Sequence, residues 1–265
     1  MTAGFAPLYQ RRVAVAVKRP IALVGQLLTP VLWVLVVGPA FASAFGGFAG
    51  DVDFFTYVAI GQIVFILPFS AMFAGLVVIT DRDMGILREL LVAPIRRATI
   101  PFANIAAILT VAAGQLALIV VLALARGAHY DTGPGRLAVA LLAAALLSAG
   151  TYALAEMLAY RITQPAIFGT LIPAIGATPY ALCGAIYPLS ALPAGVQLLA
   201  DLLPWTHAVA LLRFGFMGGG PSGLEQIWHL HDVWAMALLS LAVLIAFAAA
   251  MVFFALRTFS AATTR

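Results

Sequence analysis

The chain has 265 residues, of which 64% are hydrophobic and 9% charged. So little charge cannot solvate a soluble domain of this length, which excludes a water-soluble enzyme and points to an all-α integral membrane protein in a single domain, residues 1–265. The net charge of +4 says less than the placement of the basic residues, and the lone Cys183 excludes a disulfide framework or a cysteine metal cluster.

In chain order, residues 1–19 place Arg11, Arg12, Lys18 and Arg19 among Phe5, Leu8 and Val13. This pattern predicts an interfacial helix with its arginine heads in lipid phosphate. The first apolar run is too long for a signal h-region and has no cleavage site, so no cleaved signal peptide is expected. Pro20 starts a first span, Ile21 to about Phe45. At roughly 1.5 Å per residue it is long enough for a ~30 Å hydrocarbon layer. Further spans are expected at Phe54–Ile79, with Pro68 as a kink, at Ile100 to about Ala125, and at Leu137–Tyr160. A fifth is expected at Ala166 to about Ile186, broken by Pro173 and Pro179, and the last at Val233–Leu256. Alanines, Ser148 and Gly150 in the fourth span predict close helix contact.

Between the second and third spans lies the densest internal run of charge, Thr80–Arg97. Ile86, Leu87, Leu90 and Leu91 recur in it at helical spacing, and Pro94 ends the helix. A short amphipathic helix at a membrane face is predicted. Between the fifth and last spans, Tyr187–Asp232 holds two apolar pieces, about Leu192–Leu203 and Trp205–Met217, separated by Pro204. Each is shorter than the ~20 residues a crossing needs. Asp201, His207 and Arg213 would be costly at the bilayer centre. A re-entrant hairpin in the outer leaflet is therefore expected, the rival being one kinked seventh span.

With six spans, one side holds Arg11, Arg12, Lys18, Arg19, Arg82, Arg88, Arg96, Arg97, Arg161, Arg257 and Arg265, and the other Arg126, Arg136 and Arg213. Eleven against three places both termini in the cytoplasm. A seventh span would put Gly218–Asp232 inside, although that loop has no Lys or Arg.

The chemistry is sparse. Lys18 is the lone lysine and is followed by Arg19, so no P-loop can be built. His229 and His231 are two apart, off a common helix face, and no metal site is expected. Glu156 is the one carboxylate well inside a predicted span, a candidate for a proton relay or a cationic substrate, or a residue that snorkels or pairs.

The run Asp81-Arg82-Asp83-Met84-Gly85-Ile86-Leu87-Arg88-Glu89-Leu90-Leu91-Val92-Ala93-Pro94 resembles the cytoplasmic loop of type-2 ABC transporter permeases. Tyr187-Pro188-Leu189-Ser190-Ala191-Leu192-Pro193, then Leu203-Pro204-Trp205-Thr206-His207-Ala208-Val209 and Leu211-Leu212-Arg213, is similar to that family's signature before the last span. Drug-resistance export permeases are the nearest in kind. Ile86 stands where Thr is common, Arg88 where Glu is common, and Trp205-Thr206-His207 replaces a Pro-Leu-Thr-Tyr type of run.

The resemblance implies a half-transporter in the plasma (inner) membrane, paired with a second permease copy or paralogue among membrane lipids and docked on separate ABC ATPase subunits. ATP and Mg2+ would bind the partner subunit, with no cofactor on this chain and no nucleic-acid partner. Asp83, Gly85, Leu87, Arg88, Glu89, Leu90, Leu91 and Pro94 would form the coupling helix, the leucines anchoring it in an ATPase groove. Pro188, Pro193, Pro204 and Arg213 would mark the outer re-entrant motif. The cargo would be amphiphilic: a drug, a lipid or a lipid-linked glycan. The alternatives are an ion- or proton-coupled carrier using Glu156, and an assembly or immunity membrane protein that transports nothing.

Overall fold

The computed structural model describes residues 4–18, 20–45, 53–218 and 222–263. Arg19, Arg265 and most of the expected first loop lie outside the described residues. Among the described residues the regular structure is entirely helical.

Helix α1 covers Phe5–Val17. The expected first span is a run of three pieces: α2 (Pro20–Leu32), a π-helical turn (Trp33–Val37) and α3 (Gly38–Phe45). Pro30 and Pro39 each remove a backbone donor from this run. The ladder shifts between them, where the Gly38 N–H donates to the Trp33 carbonyl. This segment is therefore not the uninterrupted helix expected.

Helix α4 covers Phe54–Asp83 and starts on Asp53, whose carboxylate accepts from the Thr56 N–H. It runs a turn further than expected, so Asp81, Arg82 and Asp83 lie on its last turn and not in a loop. A short helix α5 (Ile86–Val92) follows, then α6 (Thr99–Ala125) and α7 (Pro134–Arg161). Helices α8 (Pro165–Gly176) and α9 (Thr178–Leu182) form the expected fifth span. Pro173 lies inside α8; the break is at Ala177, where the chain re-enters helix with Pro179 in the first turn of α9.

Helices α10 (Ala194–Asp201) and α11 (Pro204–Phe216) are bent by 78°. A short α12 (Leu224–Trp228) and the long α13 (Val233–Thr263) close the chain. Five helices among the described residues are long and apolar enough to cross a membrane: α4, α6, α7, α8–α9 and α13.

Helix α4 is the axis of the bundle, buried over most of its length and packed on α6, α7, α8 and α11. Close approach depends on small residues. A Cβ on Gly61 would collide with the Ala185 carbonyl, and one on Gly150 would meet Phe247 and Ala248 of α13. The outward side chains of α6 and α13 are themselves apolar, among them Val121, Leu124, Leu238 and Phe253. That surface suits hydrocarbon, not water. Several interior polar groups are paired inside the bundle: Gln115 Nε2 donates to Ser70 Oγ at 3.0 Å, and His207 and Trp228 both meet Ser240 Oγ.

The bundle has two ends. At one, Leu8, Ile100 and Phe259 cluster with Leu87, Leu90 and Leu91, so α1, α5 and the C-terminal part of α13 meet there. At the other, the Asp131 N–H donates to the Phe216 carbonyl, and Phe214 lies 5.0 Å from Trp234.

Candidate functional site

The α5 end carries most of the charge. Gly85 holds the turn between α4 and α5 with φ of 77°, a left-handed conformation that a Cβ disfavours. Its N–H donates to the Arg82 carbonyl, and its own carbonyl accepts from Arg88 N–H, so one residue ends α4 and starts α5. Ala93 is extended, as the residue before Pro94 must be, which limits α5 to seven residues.

The leucines face the bundle end. Leu87, Leu90 and Leu91 pack inward with Ile95 on Leu8, Ile100 and Phe259, because the bundle end offers the nearest apolar surface. Partly buried, the three leucines thus have an anchorage on the chain itself. The outward face is Met84, 68% exposed, and Val92, 86% exposed, with Asp83, Arg88, Glu89 and Pro94 also exposed.

Behind α5 lies a polar cluster joining four helices. Asp81, on the last turn of α4, accepts from Arg11 Nη2 at 2.8 Å and lies 3.1 Å from Arg12 Nη1. Arg12 Nε donates to Asn104 Oδ1 at 2.6 Å, and Asn104 Nδ2 donates to Glu156 Oε1 at 3.0 Å. The Tyr160 hydroxyl donates to the same Glu156 oxygen at 3.2 Å. Both arginines therefore point into protein, correcting the expectation of heads in lipid phosphate. The reason is their spacing: Leu8, Arg11 and Arg12 share one helix face, and Leu8 is buried.

Glu156 is fully buried, and its Oε2 has no hydrogen-bond partner. Arg82 was not singled out by sequence reasoning. It donates to the carbonyls of Ala159 and Thr163, both at 3.2 Å, and ties α4 to the end of α7.

The opposite end has its own clamp. Arg213 of α11 is 3% exposed. It donates to the carbonyls of Gly184 at 2.9 Å and Ala185 at 2.7 Å, and its guanidinium lies 3.3 Å above the Tyr57 ring. Leu189, ahead of α10, also packs on Gly184. Leu189, before α10, and Arg213, near the end of α11, thus meet at Gly184. Pro193 and Pro204 stand at the starts of α10 and α11, and Pro188 before the turn Leu189–Ala191. Cys183 is buried beside them.

The family profile for ABC-2 type transporters matches residues 5–217, from the start of α1 to just past α11. The chain belongs to the ABC-2 type transporter family. It is similar to the transport permease ycf38 of Porphyra purpurea, with 27% identity over 209 residues, 78% of this chain and 72% of that one. The proteins of the same name from Pyropia yezoensis and Cyanophora paradoxa are 24% and 25% identical, each over 74% of this chain and 68% of theirs. This ABC-2 permease is accordingly a multi-pass membrane protein of a transport family, whose members are membrane subunits and not catalysts in themselves. The match takes in α5, the polar cluster and the α10–α11 pair alike.

Proposed function

We propose that this ABC-2 permease is the membrane half of an ATP-driven exporter in the plasma membrane, with its α5 end and both termini in the cytosol. ATP and Mg2+ are bound and turned over by a separate ABC ATPase subunit docked on α5. A second permease, a copy or a paralogue, completes the pathway, and residues 20–45 supply the sixth crossing. The α10–α11 pair dips into the outer leaflet and returns. The cargo is amphiphilic and leaves the cytoplasm.

One observation carries the reading: a seven-residue helix, propped on a left-handed glycine and glued to the bundle by its leucines, presents Arg88, Glu89 and Val92 outward, with Met84 exposed just before the glycine. That is a rigid, mixed apolar and charged ridge suited to a groove on a partner. Its backing joins α4, α1 and α6, so a push on it moves three helices together.

The test is coexpression with an ABC ATPase subunit. Val92→Asp is expected to weaken copurification by about tenfold or more, since an exposed anchor becomes an unpaired charge in an interface. The melting temperature of the free permease should stay unchanged. A complex that survives both Val92→Asp and reversal of Arg88 and Glu89 sinks the docking role.

A second reading, an ion-coupled carrier, draws on the unpartnered Oε2 of Glu156. Glu156→Gln keeps an acceptor for Asn104 and Tyr160. ATP-driven transport should therefore persist in this variant; its abolition, with activity insensitive to the ATPase, would favour the carrier.

A further inference from the structure

Between α1, α4, α6 and α7 lies a partly open cavity of about 240 Å3. Its walls are mostly apolar, supplied by Val15 of α1, Phe73 of α4, and Ala107 and Val111 of α6. Among the described residues in the lining, Arg12 is the one that carries charge. Its side chain is 12% exposed, and it stands with Asn104 at the α5 end of the cavity. Ser70 lies about three helical turns deeper along α4 than Asp81, and its hydroxyl already accepts from Gln115.

The guanidinium is not fully used. It has five N–H donors. Nε serves Asn104, and Nη1 faces Asp81. Asp81 is itself shared with Arg11, so two cations face that carboxylate, and Glu156 joins Arg12 only through Asn104. Neither Asp81 nor Glu156 lines the cavity. The chamber is therefore an apolar slot with a positive mouth.

We propose that this cavity binds a single-chain anionic amphiphile, its carboxylate or phosphate head accepting from Arg12 and its tail running between α1, α4 and α6. At about 240 Å3 the space is small, which favours a single-chain cargo over two-chain bilayer phospholipid. The proposal rests on the export reading only in naming this molecule as cargo. Binding itself needs neither ATP nor a partner.

The test uses the purified chain in phosphatidylcholine nanodiscs with a diazirine-bearing decanoic acid, irradiated and mapped by mass spectrometry. Saturable labelling of the cavity walls is expected, displaced by plain decanoate. Ala107→Phe, which fills the slot and changes no member of the polar cluster, should lower it about tenfold. Val111→Phe serves as a second filler should Ala107→Phe lower the melting temperature. Arg12→Gln should weaken labelling by the acid about tenfold while leaving labelling by the matching decanol probe unchanged, since a charged hydrogen bond is lost only with the acid.

Non-saturable labelling, labelling spread equally over the outward face of α13, or equal labelling by a trimethylammonium analogue would overturn the proposal. So would full labelling of a well-folded filler variant. Absent labelling with ATPase-coupled transport intact removes the cavity site and leaves the exporter standing; lost docking with labelling intact does the reverse.

Discussion

The ring of Tyr130, in the connection between α6 and α7, lies tilted 5.2 Å from that of Phe216, and its buried hydroxyl has no hydrogen-bond partner. Burial first, and the nearby Asp53 charge second, push its pKa up to about 12 from 10.0. The fold thus favours the protonated phenol. Its contribution is complete below pH 10 and is lost as pH rises towards 12. Melting temperatures in detergent should fall across that window, and Tyr130→Phe should remove this part of the fall. At neutral pH the same variant should be no less stable, because the hydroxyl it removes is buried without a partner. At this scale some of the cluster behind α5 was legible. The Leu8, Arg11, Arg12 spacing already sets two arginines on the apolar face of α1, but nothing local names an acid 70 residues away as their counter-ion.

At the scale of elements, Gly85 bears the joint between α4 and α5. Gly85→Ala should cost about 1 kcal/mol, the penalty for a Cβ in the left-handed region, with no clash to add since the position is open. Gly85→Asn should cost less. Thermal unfolding of the pair of variants checks the order. The bounds of α5 were readable because glycine and proline punctuate both sides of it. Its orientation was not: periodicity shows that Leu87, Leu90 and Leu91 share a stripe, not whether that stripe meets the chain or a stranger. Proline was the less dependable guide elsewhere. Pro173 sits within α8, and the helix breaks one turn later at Ala177, just before Pro179, which has no N–H to continue the ladder. The bent pair α10–α11 was expected from its short apolar pieces and its polar residues. The physical licence for such backbone is that α11 is buried from Trp205 to Phe216.

At the scale of the molecule, the two ends differ in character. Arg82, Arg88, Arg96 and Arg161 stand at the α5 end, and Arg126 and Arg136 at the other. A membrane-impermeant thiol reagent applied outside cells should therefore modify a His129→Cys variant and spare Met84→Cys. Both positions are exposed, and the native Cys183 is buried, so background labelling is low. The reverse pattern would overturn the proposed orientation. The number of crossings was harder to read than the class of fold, because residues 20–45 are apolar enough to span yet interrupted by two prolines and a π turn.

Every side chain of α11 from Trp205 onward is enclosed by its own chain, so the half of the subunit far from α5 is stoppered along its axis. If a second permease lies alongside as proposed, a solute crossing that depth would pass over the flank of the subunit, in the seam between the two.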